Sequence, residues 1–333
     1  MEPCCGRSAE SLEQIEVSMI KQKTIKNIVE LNGIGLHSGK TVNMKIMPAG
    51  ADSGIRFRRT DVTPVVDIQL RADQIHDTML ATSIINPQGV RVSTIEHFLS
   101  AVSSMGLDNL LVELDAPELP ILDGSARGFI DSIMHAGLIE QCALKKYLLI
   151  KKTVSVKDGD KWALLHPDSK FSIDFMIDFK HPLISAETNR LNIEVSKENY
   201  ISEIADARTF GFVRDVELLQ QKGLGLGASL NNAIGLDEYS VLNPEGLRFN
   251  NELVRHKTLD AIGDLFVSGH NIIGAYHAYK SGHALNNKLM LALLNDVESW
   301  ELVSVGEYKN DATRETILSK PKEECFESLS MWS

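Results

Sequence analysis

The sequence predicts an α+β protein made of two similar layered blocks, each a sheet with two helices, and a ligand site between them. Three observations predict it. The chain has 333 residues, beyond the ~250–300 at which a single hydrophobic core usually stops growing. Strand-like runs precede a pair of helix-like runs twice over, an order that belongs to α+β layers and not to a parallel α/β sheet. The ends of the two blocks also correspond. IEHFLSAV, DNLLVEL and DGSA in the first stand against VRHKTLDAI, HNIIGAY and SGHA in the second. Ala101-Val102 answers Ala261-Ile262, Asn109-Leu110-Leu111 answers Asn271-Ile272-Ile273, and Gly124-x-Ala126 answers Gly282-x-Ala284, the mark of an internal duplication. A cleft between two such layers is where a ligand is expected.

Taken in order, residues 1–18 are polar and patternless. They read as a flexible extension, or as a start codon placed too early, with the folded part expected from Met19. The first block, 19–144, opens with short strands punctuated by glycine, TIKNIVELNGIGLHSG and TVNMKIMPA. A helix is expected from about Ser93, where Ile95, Leu99 and Val102 fall at helical spacing. The strand NLLVEL, the loop PELPILDG and a second helix from Ser125 follow. The second block, 145–316, brings the strands YLLIKKTVSV, KWALLHP and KFSIDFMIDF. In the last of these Phe171, Ile173, Phe175, Ile177 and Phe179 alternate with period two. A helix over about Glu252 to Phe266, the strand NIIGAYHAY, the loop KSGH and a helix from Ala284 complete the block. Residues 317–333 read as a loose tail.

Composition excludes several classes of function. Lys and Arg total 34 and Asp and Glu 45, a formal net charge of −11, which argues against a nucleic-acid binder or a protein held on an anionic membrane by charge. An anionic substrate would need lysines placed locally against that field. The cysteines Cys4, Cys5, Cys142 and Cys325 include no C-x-x-C pair and form neither a disulfide framework nor a cysteine metal site. The leader lacks an apolar run, and no segment reaches the ~18 apolar residues of a membrane span. A cytoplasmic protein without stable membrane insertion is the expectation.

RHKTLDAIGD carries the clearest chemical pattern. His256 and Asp260 lie four apart on one face of a helix, with Asp264 one further turn along. A neutral imidazole and a carboxylate so placed can reach one Zn2+ at ~2.0–2.2 Å. The same spacing also arises by accident, as a surface pair worth a few tenths of a kcal/mol. His97, in STIEHF, stands on the corresponding helix of the first block and is a candidate third ligand, although a lone histidine is more often structural. Glu96 beside it is placed to take the proton of a metal-activated water. It equally reads as the N3 residue of a capping box opened by Ser93. His283 follows a glycine at the mouth of the last helix, where it can stabilise an oxyanion or protonate a leaving amine, or simply be a polar residue at a helix start. Lys257 and Lys280 are either the cations an anionic substrate needs or plain solvated surface.

Two glycine patterns carry no nucleotide site. GIGLHSGKT approaches the phosphate loop G-x-x-x-x-G-K-[ST], but five residues separate Gly33 from Gly39 and three separate Gly35 from Gly39. That failure argues against a kinase. GLGLGAS lacks the G-x-G-x-x-G spacing.

Together, GIGLHSGK, DTMLATSI, STIEHFLSA, PILDGSA, RTFGFVRD, VLNPEGLRF, RHKTLDAIGDLF and GHNIIGAYHAYKSGHALNNKL follow one another between Met19 and about Leu294. In that order they closely resemble the UDP-3-O-acyl-N-acetylglucosamine deacetylases of the lipid A pathway of Gram-negative bacteria. The resemblance implies a monomeric, zinc-dependent amidohydrolase. Its reaction would remove the acetyl group of a UDP-linked acylated N-acetylglucosamine, giving a free amine and acetate. It implies that His97, His256 and Asp260 hold the zinc, with Glu96 as general base. It gives His283 the role of acid and electrostatic stabiliser, Asp264 that of orienting it, and Thr209 a share in holding the oxyanion. Lys257, Lys280 and Phe210 would contact substrate, Phe179 and Lys161 would stand near the UDP end, and His37 of the GLHSG stretch would approach the site. TFGFVRDVELLQQKGLGLGASLNN resembles the insert that forms the acyl-chain passage. A non-catalytic nucleotide-sugar binding protein on the same fold is the alternative.

Overall fold

The computed structural model describes residues 17–308 and 316–319. The expected extension over 1–18 and tail over 317–333 lie outside these, apart from their inner edges. There Val17–Met19 and Thr316–Ser319 are strands paired with Trp300–Tyr308.

Two five-stranded arrays carry the α+β fold, and their strand orders are the same. In the first, Leu110–Leu114 is central. It runs antiparallel to Thr41–Pro48, with Val112 opposite Ile46, and parallel to Ile55–Arg59, with Val112 opposite Phe57. Val29–Ile34 and Val66–Gln69 lie outside these partners. In the second array Asn271–Tyr279 takes the central place. It is antiparallel to Lys161–His166 and parallel to Phe171–Met176, with Val154–Asp158 and Arg190–Glu194 outside. The two central strands are the segments whose sequences match, NLL and NII. Lys146–Ile150, Trp300–Tyr308 and the two edge strands above extend the second array to nine strands. One face of each array is apolar by alternation: Val42, Met44 and Ile46 are buried in one, Ile173 and Phe175 in the other.

The described residues contain six α-helices: α1 (Glu96–Ser104), α2 (Arg127–Ala136), α3 (Lys197–Glu203), α4 (Val213–Gln221), α5 (Glu252–Leu265) and α6 (His283–Asn295). α1 and α2 flank the first central strand in sequence; α5 and α6 flank the second. α6 packs on Val154–Asp158 and Lys161–His166, α5 on Phe171–Met176 and Arg190–Glu194, and α1 packs on both α2 and α5. The two helical layers therefore meet at the α1–α5 contact, and one continuous apolar core joins Phe98 and Phe129 to Leu259, Phe175 and Tyr276. α3, α4 and the strands Phe210–Phe212 and Ile234–Leu236, which pair in parallel, belong to the long connection before α5.

The first helix starts later than its capping pattern predicts. α1 begins at Glu96, with Ile95 before it. Thr94 has φ 56° and donates its hydroxyl to the Glu118 carboxylate at 2.9 Å, while Ser93 Oγ pairs with Ser83 Oγ at 2.9 Å. Ser93 is thus no N-cap, and the capping box does not form. Glu96 is released from that local role.

Candidate metal centre and catalytic site

α1 and α5 cross with their backbones in contact because Gly263 has no side chain. A Cβ there would lie 2.0 Å from the Glu96 carbonyl oxygen, closer than real Cβ contacts come. The crossing sets Glu96 and His97, the first residues of α1, against His256, Asp260 and Asp264 along α5. All five side chains are buried, so each must find a partner for its polar atoms.

His97, His256 and Asp260 bring one ligand atom each to within 4.8 Å of one another. Asp260 Oδ1 is 3.5 Å from His97 Nε2 and 3.4 Å from His256 Nε2. Atoms bound tetrahedrally to one ion at ~2.0–2.2 Å stand ~3.3–3.6 Å apart, so these separations fit a shared cation and are long for N–H···O bonds. Asp260 Oδ1 is buried without a hydrogen-bond partner. Its other oxygen accepts from Lys257 Nζ at 2.7 Å. Burial favours the neutral carboxyl, but Lys257 beside it holds Asp260 well below the usual carboxylate range. His256 Nδ1 lies 3.0 Å from the Ala207 carbonyl oxygen; donating there, it leaves the Nε2 lone pair facing Asp260. Burial pushes the His256 imidazole down to about 3, so it is neutral, the form that binds metals.

A second cluster adjoins the first. Glu96 Oε2 accepts from the Thr82 backbone N–H at 3.0 Å, and Oε1 lies 4.0 Å from His283 Nε2. Burial raises the Glu96 carboxyl above its usual value, the direction that suits a proton acceptor working near neutrality. His283 Nδ1 is 2.9 Å from Asp264 Oδ2. Burial pushes the His283 imidazole down, but Asp264, supported by Glu96, more than offsets it and raises it to about 9. His283 is therefore a cation at neutral pH, with Nδ1 engaged and Nε2 on the side of Glu96.

Both clusters border a cavity of about 610 Å³. Thr209, Phe210, Phe179, Lys161, Lys257 and Lys280 all line it, so the structure brings together six residues picked from separate segments. Phe179 meets Phe210 edge-on at 5.7 Å, and Phe210 meets the His256 ring at 6.2 Å. Lys280 is held by Asp160 at 2.8 Å and Asp178 at 2.9 Å. Thr209 donates its N–H to the Gly124 carbonyl at 2.8 Å, and Gly124, at φ 86°, would bring a Cβ to 2.1 Å from the Asn232 carbonyl oxygen. Glycine is required there for the DGSA loop to touch the insert. His37 lines a neighbouring cavity of about 350 Å³ with Glu118, Arg91 and Lys222.

Sequence reasoning missed Thr82, Asn286 and the Ala207 carbonyl. Thr82 lies in DTMLATSI and Asn286 in GHALNNKL, but their bonds to Asp264 give no local signal: Thr82 is 182 positions away from it.

The sequence profile of the family described as UDP-3-O-acyl N-acetylglycosamine deacetylase, LpxC, matches residues 22–295. The chain belongs to this deacetylase family. The UDP-3-O-acyl-N-acetylglucosamine deacetylase of Sodalis glossinidius is 53% identical over 286 residues, which cover 86% of this chain and 94% of its own length. That of Photobacterium profundum is 53% identical over 283 residues, 85% of this chain and 93% of its own. That of Mannheimia succiniciproducens is 52% identical over 286 residues, with 86% and 94% covered. Every candidate site residue named above falls inside the matched region. Among the described residues no helix is long and apolar enough to cross a membrane.

Proposed function

We propose that this deacetylase is zinc-dependent and removes the N-acetyl group of a UDP-linked, 3-O-acylated N-acetylglucosamine in lipid A biosynthesis. The observation that carries the reading is the unpartnered Asp260 Oδ1, buried between two imidazole nitrogens at the spacing of one tetrahedral cation. His97, His256 and Asp260 would hold the ion, two nitrogens and one oxygen being a donor set that suits zinc. When bound, zinc lowers the pKa of a water ligand from 15.7 towards ~7 and polarises a carbonyl.

The rest of the chemistry belongs to the chain. Glu96 takes the proton of the water that attacks the acetamide carbonyl. His283, a cation with Nδ1 tied to Asp264, donates from Nε2 to the developing oxyanion. Thr209 is the second donor, and each good donor contributes ~3–4 kcal/mol. His283 then gives its Nε2 proton to the nitrogen and the C–N bond breaks, since an amide anion is too poor a leaving group; the proton taken by Glu96 returns to His283 and restores both groups. The free amine and acetate result. Lys257, Lys280 and Lys161 supply the positive charge an anionic UDP-sugar needs against the chain's net charge of −11. Phe179 and Phe210 pack against the substrate, the insert lines an acyl passage, and His37 borders the site from the adjoining cavity. On this reading the protein works as a monomer, with residues 19–144 giving Glu96 and His97 and residues 145–316 giving the rest.

The test is metal content alongside deacetylation of UDP-3-O-acyl-N-acetylglucosamine, in wild type and His256→Ala. About one zinc per chain and turnover in wild type, both lost in the variant, are expected. Tight substrate binding without turnover would favour the non-catalytic binding protein. Absence of both metal and turnover would overturn the reading.

A further inference from the structure

We propose that Thr82 is a positioning residue that ties the base to the acid, its backbone N–H fixing Glu96 and its hydroxyl fixing the carboxylate that orients His283. The inference rests on the catalytic roles proposed above. Thr82 is buried just before the strand Ser83–Ile85. Its N–H donates to Glu96 Oε2 at 3.0 Å and its hydroxyl to Asp264 Oδ1 at 2.6 Å. Its carbonyl accepts from the N–H of Ile95 at 3.3 Å, so the residue is clamped to the start of α1.

Asp264 is therefore held at both ends. On Oδ2 it accepts from Asn286 Nδ2 at 2.9 Å, and that amide is itself fixed because its oxygen accepts from Tyr276 at 2.7 Å and Ser281 at 2.6 Å. On Oδ1 the short bond comes from Thr82, while His283 Nδ1 is 3.2 Å away. Without the Thr82 hydroxyl, Oδ1 keeps only that longer contact. The carboxylate can then swing about its Asn286 anchor, carrying the imidazole with it. Partners one bond removed from the reacting groups commonly act this way. Thr82 also joins the two blocks: it lies in the first and steers a pair that belongs wholly to the second.

The experiment uses the zinc-loaded enzyme and three variants. Thr82→Val keeps the shape and the N–H but removes the hydroxyl; Thr82→Ala removes it with different packing; Thr82→Ser restores it. Expected for Val and Ala is a kcat loss of ~10–100-fold, with KM and zinc content unchanged. Ser should recover most of the rate. A second readout needs no turnover: in histidine-labelled protein, the Nδ1 proton resonance of His283 should move in Val and Ala and stay in Ser. Wild-type kcat in either hydroxyl-free variant, a Ser variant as impaired as Val, or an unmoved resonance would overturn the proposal. If wild type itself fails to turn over, the proposed function fails, and the resonance alone then decides the place of Thr82.

Discussion

The loops DGSA and SGHA hold the same place, each following the central strand of its array and opening the next helix. Their contents differ. Where the second has His283, the first has Ser125. The Ser125 hydroxyl donates to Asp123 at 2.8 Å and accepts from the N–H of Arg127 at 3.1 Å, all within its own turn. His283 instead reaches back across 19 positions to Asp264 on α5. The helices differ in the same way. By the match of Ala101 with Ala261, Ser100 answers Asp260, and its hydroxyl pairs with that of Tyr200 at 2.8 Å where Asp260 offers a carboxylate. On the proposed mechanism two copies of one scaffold divide the labour. The first would contribute the end of a helix and Thr82; the second would contribute a helix face over about two turns and a loop. Architecture is shared, and chemistry sits in particular side chains.

The contrast breaks most severely at Glu96. Glu96→Gln should keep its zinc and lose kcat by ~10²–10⁴-fold, because the attacking water has no proton acceptor. The acidic limb of the pH–rate profile should disappear with it. Full activity, or an unchanged acidic limb, would mean that the first block supplies no base.

On the second block, His283→Gln removes a charged donor and should cost ~10²–10³-fold in kcat. The pH dependence carries the sign. On the proposed mechanism His283 acts as a cation, its proton held up to about 9 by Asp264 against the burial that opposes it. The wild-type rate should therefore fall as pH rises through that value, and the fall should vanish in the variant. A basic limb that survives His283→Gln belongs to another group.

Gly263→Ala tests the contact where the two blocks meet. The added methyl must push α1 from α5, since its carbon would lie 2.0 Å from the Glu96 carbonyl oxygen. A displacement near 1 Å at the base is enough for a loss of ~100-fold. Activity close to wild type would show that the helices accommodate the methyl without moving Glu96.

How much of this was legible in the sequence follows from how local each signal is. The period-two run from Phe171 and the one-turn spacing of His256 and Asp260 are local; the helix formed, and the strand formed as far as Met176, short of Ile177 and Phe179. The duplicated strand order was legible because NLL and NII mark the same central strand. The start of α1 was not. The Ser93–Glu96 pattern spans four residues, but the bond that overrides it joins Thr94 to Glu118 across 24 positions. Thr82 was hidden for the same reason.

The smallest expected effect is at Ser125, the counterpart of His283. Ser125→Ala removes one side-chain bond and leaves the Arg127 N–H without that acceptor, which should cost about 1 kcal/mol of stability in a denaturant titration. Asp123 keeps the backbone N–H of Ser125 at 3.1 Å and Arg248 at 2.9 Å, so the loop should hold its shape. Turnover is the sharper measurement. The neighbouring Gly124 carbonyl accepts the N–H of Thr209 at 2.8 Å, and Thr209 is a proposed oxyanion donor. If kcat is unchanged, the DGSA loop is scaffold only and the division between the blocks stands. If kcat falls tenfold or more, about 1.4 kcal/mol or more in barrier, the first block's loop reaches the reaction through Thr209, and both copies of the turn serve catalysis.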